Sequence, residues 1–284
     1  MMSNISGKPS YTLTFDSSTA SLAVAVMEDG RLKAERNITA ERNHSVHLIT
    51  AIEEVLTEAG IAKSELAGIG TGIGPGSYTG IRIAVTTAKT LAWSMALPVA
   101  GISSLAALGL GGWATGTGQP PAAFEAAAGR RSEEPTAAAE QAAAGKPPAE
   151  WIIPLMDARR GQVYTALFEA APGELPRRLA PDGIRLMERW VTALAGRLEA
   201  LAPEARPSAV WFTGETEVHG AAAEALRPLL GGGRLETRPY VLEGVWAGLL
   251  GADRLLRGES DEVHSLVPNY TQLAEAEANL LRGV

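Results

Sequence analysis

One pattern of strands and helices, written twice along the chain, constrains its fold more than any other feature. The first copy reads Tyr11-Thr-Leu-Thr-Phe-Asp16, a polar turn Ser17-Ser-Thr-Ala20, an alternating strand over 21–27, the turn Glu28-Asp-Gly30 and a third strand over 31–38. The second reads Trp151-Ile-Ile-Pro-Leu-Met-Asp157, a polar turn Ala158-Arg-Arg-Gly161, an alternating strand over 162–168, the turn Ala171-Pro-Gly-Glu174 and a third strand to 179. Self-similarity of this kind marks duplicated supersecondary units, and apolar alternation marks strands with one face buried. Asp16 and Asp157 thus hold equivalent places, each ending the first strand of its copy. Each meander is followed by helical spacing: Ile49, Ile52, Val55, Leu56 and Ala59 in the first copy, Trp190, Leu194, Leu198 and Leu201 in the second. Asn43 suits the first helix as N-cap and Gly60 as its stop. A strand over 66–73, and another over 209–213, then ends at glycine and enters a further helix. The order predicts an α/β protein of two lobes, each β-β-β-α-β-α, divided as 1–105 and 106–284.

Composition removes several function classes. The 284 residues carry 25 Lys and Arg against 32 Asp and Glu, a formal charge of −7, which opposes direct gripping of nucleic acid by clustered cations. No Cys occurs, so disulfides, thiolate metal sites and cysteine nucleophiles are excluded. Residues 1–10 lack an apolar core and do not read as a signal peptide, which fits a cytoplasmic protein. Residues 90–124 contain no charge, but Pro98 and the glycine pair 111 and 112 break the stretch into a helix end, a buried strand and a helix start, not a membrane span. Residues 114–150 hold 13 Ala, 5 Pro and 4 Gly among 37, with Phe124 the one large apolar side chain. They read as a mobile, low-complexity insertion, because so little apolar surface does not offset the entropy of ordering.

The densest motif is Gly72-Ile-Gly-Pro-Gly-Ser-Tyr-Thr-Gly-Ile-Arg-Ile83, between a buried strand and an amphipathic helix. Its glycines permit positive φ and the close approach of an anion or of another backbone. No Gly-Lys-Ser/Thr follows, and neither GxGxxG register is filled. A phosphate site and a tight strand-to-helix turn both fit.

The stretches Asp16-Ser-Ser-Thr-Ala-Ser-Leu-Ala-Val-Ala25, Arg42-Asn-His-Ser-Val-His-Leu48, Gly74-Pro-Gly-Ser-Tyr-Thr-Gly-Ile-Arg-Ile83, Met156-Asp-Ala-Arg-Arg-Gly-Gln-Val-Tyr164 and Val267-Pro-Asn-Tyr-Thr-Gln272, with Ala274-Glu-Ala-Glu277, together resemble the TsaB (YeaZ) family. These bacterial proteins serve tRNA threonylcarbamoyladenosine formation and are related to TsaD within the actin-like (ASKHA, RNase H-like) superfamily. The likeness covers nearly the whole chain apart from 114–150. It implies two actin-like lobes and a non-catalytic scaffold that requires no cofactor or metal. The scaffold pairs with TsaD, the metal-binding subunit that transfers the threonylcarbamoyl group. It supports the ATPase TsaE through that complex and meets tRNA only indirectly. The family's pairing surface lies on the first-lobe helices, here about 43–59 and 79–95, where His47, Ala51, Ile83, Thr87, Thr90 and Ser94 are the candidate contacts. A homodimer through the same surface is expected when the partner is absent.

His44 and His47 lie one helical turn apart, yet the other ligands of a TsaD-like metal site have no good candidates. Asp16 with the degenerate loop Gly74, Gly76, Ser77, Thr79 and Gly80 is the basis of the alternative function, an independent nucleotide-binding kinase or ATPase of the same superfamily. Asp157 is followed by two arginines, bulky where phosphate-clamping relatives use small residues, so Asx capping of the adjacent turn is expected for both aspartates. Arg159 and Arg160 remain able to meet an anion. His219 and His264 have no partner legible in the sequence, and Ser77 lies outside GxSxG. The six tryptophans are expected in the core.

Overall fold

The computed structural model describes residues 9–39, 44–130 and 149–271, with the side chains of 44–46 excepted. The first meander forms β1 (Tyr11–Asp16), β2 (Ser21–Glu28) and β3 (Arg31–Thr39). Helix α1 (His44–Ala59), strand β4 (Leu66–Gly72), helix α2 (Tyr78–Met95) and strand β5 (Val99–Ile102) complete the first unit. The helices α3 (Ser104–Gly116) and α4 (Ala122–Glu125) follow. The second unit contains β6 (Glu150–Asp157), β7 (Gln162–Ala170), β8 (Arg177–Leu186), α5 (Met187–Ala200), β9 (Ala209–Gly214), the short α6 (Gly220–Ala223), β10 (Arg234–Pro239) and α7 (Gly244–Leu256).

The two five-stranded sheets have the same order, β3-β2-β1-β4-β5 and β8-β7-β6-β9-β10. In each, the first strand pairs antiparallel with its hairpin partner and parallel with the fourth, as Leu13 opposite Val26 and Ile69 illustrates for β1. Strand β6 repeats this, with Leu155 opposite Thr165 and Ile153 opposite Phe212. The duplicated pattern is therefore a duplicated topology, and the fold is an α/β pair of actin-like lobes.

The helices cross between the lobes. Helix α3 follows the first sheet but packs on β6, β7, β9 and β10 of the second, while α7 follows the second sheet and packs on β1, β2 and β4 of the first. Glycine makes both crossings close: a Cβ on Gly112 would stand 2.6 Å from Thr213 Cβ, and one on Gly248 the same distance from Met27 Sδ. The expected division between residues 105 and 106 falls in the first turn of α3.

The structure departs from the sequence pattern in three places. Each lobe has a fifth strand beyond the β-β-β-α-β-α pattern; β10 escaped it because only Leu235 of its six residues is buried, leaving no apolar alternation. The segment after β9 is not an extended helix but α6 and a 3-10 turn over Glu224–Leu230, which contains Pro228. The region taken as a mobile insertion starts too early: Ala114 and Phe124 are fully buried, and Phe124 meets Trp113 and Trp246 edge-on at 6.0 and 5.7 Å. One aromatic in a prepared pocket contributes about 2–3 kcal/mol, enough to hold a short segment. Residues 131–148 of the insertion lie outside the described residues.

Candidate functional site

The ends of β1 and β6 face one cleft between the lobes, and each corner is built by its own loop. At the first-lobe corner Asp16 is fully buried. Its Oδ2 accepts a hydrogen bond from Ser104 Oγ at 2.5 Å and its Oδ1 accepts one from the Ser18 N–H at 2.7 Å. Ser104 Oγ in turn accepts from the Gly74 N–H at 3.1 Å, so the aspartate ties the turn after β1, the glycine loop and the start of α3 together.

The glycine loop makes a tight strand-to-helix turn. Ser77 caps α2, accepting from the Gly80 N–H at 3.3 Å, while the Ser77 N–H donates to Ser18 O at 2.7 Å. Ser17 Oγ donates to Gly80 O at 2.8 Å. A Cβ on Gly80 would overlap Ser17 O, and one on Gly76 would overlap Ser18 O, both well inside the 3.0 Å that real Cβ atoms keep. The backbone that the glycines admit is the protein's own Ser17-Ser18 turn.

The second-lobe corner is built differently. Asp157 keeps about a third of its side chain exposed. Its Oδ1 accepts from the Arg159 N–H at 3.2 Å, the expected Asx cap, and lies 3.0 Å from Nε2 of the buried His219. The Asp157 N–H donates to Glu215 Oε2 at 2.6 Å. Arg159 and Arg160 both take left-handed backbone angles, φ 64° and 54°, which L residues adopt at a cost. Tyr164 stands on β7 beside this corner, and burial pushes its phenol up from the ordinary value. Between the corners lies a cavity of about 450 Å³ whose lining includes Ser18, Gly76, Asp157, Arg159, Tyr164 and Glu215.

The structure thus unites Asp16 with Gly74, Gly76, Ser77 and Gly80, whereas Thr79 is exposed at the start of α2. His219 and Glu215 were missed: the partner of His219 is Asp157, 62 positions away, a separation at which no local sequence signal exists. Among the described residues no cluster of three or more metal-ligating side chains occurs. His47 is exposed, and the side chain of His44 and the proposed N-cap Asn43 lie outside the described residues.

Of the candidate contacts, Thr90 and Ser94 are exposed and Ile83 and Thr87 partly so, but Ala51 is fully buried against the first-lobe core and is not a surface residue. Trp93 overturns its core assignment: it is 69% exposed beside Ser94, because the inward stripe of α2 is already filled by Ile81, Ala84, Val85, Ala88 and Ala92. Ile49 of α1 is also half exposed. No helix among the described residues is long and apolar enough to cross a membrane.

Comparison with known proteins gives concordant findings. The family described as "TsaD: tRNA N6-adenosine threonylcarbamoyltransferase" matches residues 38–140. The tRNA threonylcarbamoyladenosine biosynthesis protein TsaB of Bacillus subtilis is 34% identical over 269 residues, which is 94% of this chain and 96% of that protein. TsaB of Escherichia coli is 32% identical over 101 residues, 36% of this chain and 43% of that protein. Among solved structures, YeaZ from Pseudomonas aeruginosa aligns over 92% of this chain and 99% of its own with a TM-score of 0.62 at 22% identity, a likeness of fold.

Proposed function

The chain belongs to the TsaB family of tRNA threonylcarbamoyladenosine biosynthesis proteins, and we propose that within this pathway it is a cytoplasmic, non-catalytic scaffold that binds and activates TsaD and supports TsaE through that complex. The observation that carries the reading is the first-lobe corner. Both oxygens of Asp16 are engaged by Ser104 and Ser18, and the loop where an anion would approach is filled by the Ser17-Ser18 backbone. Using that corner as a phosphate site requires displacing the protein's own hydrogen bonds.

The outward face of α2 supports the docking half of the proposal. Thr87, Thr90 and Ser94 are small and permit close approach of a partner helix, and exposed Trp93 supplies the large aromatic surface that interface centres favour. The net charge of −7 leaves tRNA binding to other subunits. The same face would pair two copies in the absence of the partner.

Calorimetric titration of the whole chain, first with Mg-ATP and then with TsaD of the same organism, tests both halves. The expected result is no heat with nucleotide and saturable binding to TsaD, weakened at least tenfold when Thr87 and Thr90 are replaced by Arg. ATP turnover without a TsaD complex would instead favour the alternative enzyme.

A further inference from the structure

The second-lobe side of the cleft has binding capacity that the docking role does not use. Ser18 lines the cavity at 3% exposure, and its hydroxyl oxygen is buried beneath the wall with no hydrogen-bond partner among the described residues. Across the cavity, Asp157 commits Oδ1 to Arg159 N–H and His219, while its Oδ2 has no partner among the described residues. Glu215 commits Oε2 to the Asp157 N–H, and its Oε1 has no partner among the described residues. Arg159 lines the same cavity and its side chain takes part in no ion pair among the described residues.

Among the described residues the lining therefore combines one cation and two carboxylate oxygens without partners with the hydroxyl-bearing residues Ser77 and Tyr164. That set selects by charge. A polyphosphate meets two carboxylates with a single guanidinium to offset them, and the amides that would cradle it are turned to Ser18 O and Ser77 Oγ. A simple cation leaves Arg159 unanswered, and a simple anion leaves Asp157 and Glu215 unanswered. A molecule with one ammonium and one carboxylate answers all three.

We propose that this cavity is a binding site for a small zwitterion of the free α-amino acid class, its carboxylate on Arg159 and its ammonium on Asp157 and Glu215. The site is independent of the α2 face, so it stands or falls separately from the docking role.

Titration calorimetry of the full chain with L-alanine, L-serine, L-threonine and L-glutamine tests it, with ethanolamine, N-acetyl-L-serine and Mg-ATP as comparators. The expected result is saturable binding of at least one amino acid and none of ethanolamine, which lacks the carboxylate, or of N-acetyl-L-serine, which lacks the ammonium. Arg159→Gln and Glu215→Gln, each checked for an unchanged melting temperature, should weaken that binding at least tenfold; Gln keeps an acceptor for the Asp157 N–H. Absence of saturation by all four amino acids overturns the proposal. So does equal affinity in both variants, or displacement of the amino acid by Mg-ATP.

Discussion

Asp16 and Asp157 end equivalent strands of two sheets with the same strand order, yet one is sealed and the other faces the cleft. Around Asp16 the carboxylate is held by the Ser18 N–H and the Ser104 hydroxyl, and it fills the space that the absent side chain of Gly72 leaves. Around Asp157 the neighbours are large and ionisable: Arg159, His219 and Glu215. Duplication preserved the sheet and the turn-capping aspartate, because both are set by backbone hydrogen bonding. It did not preserve what fills the space beyond the strand end, which side-chain size decides. One topology thus closes a corner by packing and leaves its copy open to the cleft.

The comparison breaks first at Gly80. Its replacement by Ala places a Cβ on Ser17 O and should cost about 3 kcal/mol or more, read as a lower denaturant midpoint. The second-lobe turn glycine, Gly161, has φ 70° but open space around it, so Gly161→Ala should cost only about 1 kcal/mol. Equal losses at the two positions would show that the first corner is not closed by packing.

Asp16→Ala comes next. It strands the Ser18 N–H and the Ser104 hydroxyl in a dry site, for an expected loss of about 2–3 kcal/mol by the same measurement.

A smaller effect is expected where the segment after α7 is tied to the edge of the first sheet by the isolated bridge of Asp261 to Val99. Asp261 accepts from the Gly101 N–H at 2.7 Å and pairs with Arg254 at 2.9 Å. Desolvation raises its carboxyl, but the Arg254 hydrogen bond and the Gly101 N–H outweigh it, and the pKa lies below the ordinary value. A depressed carboxyl contributes stability that is present above its unfolded pKa of about 3.9 and is lost as pH falls through the lower folded value. Asp261→Asn should therefore cost about 1 kcal/mol between about pH 5 and 8, and the gap to the unmutated chain should close below about pH 4. A gap that persists in acid would mean that the charge is not what holds the tie.

The smallest loss is expected at Asp157→Ala, under about 1 kcal/mol, since water reaches that corner and replaces what is removed. A loss as large as that of Asp16→Ala would erase the distinction between the lobes.

Residue periodicity made much of this legible in advance. The strands starting at Tyr11, Ser21, Arg31, Leu66, Gln162 and Ala209 begin where the alternation places them, and Gly60 ends α1 with φ 68°. Phe124 was misjudged because composition counts apolar residues and does not show that Trp113 and Trp246 wait for one. Trp93 was misjudged for the converse reason: aromatic character does not tell a filled stripe from a bare face.

By itself the sequence determined the two copies, the matched aspartates and the need for glycine between β4 and α2. These are properties of neighbouring residues, fixed by alternation and by the φ angles and close approaches that only glycine allows. Only the tertiary structure decided that α3 and α7 exchange sheets, that the Ser17-Ser18 backbone occupies the glycine loop, and that His219 stands on Asp157 across 62 positions. Those outcomes depend on which distant group fills a given volume, and the excluded volume of the assembled fold settles them.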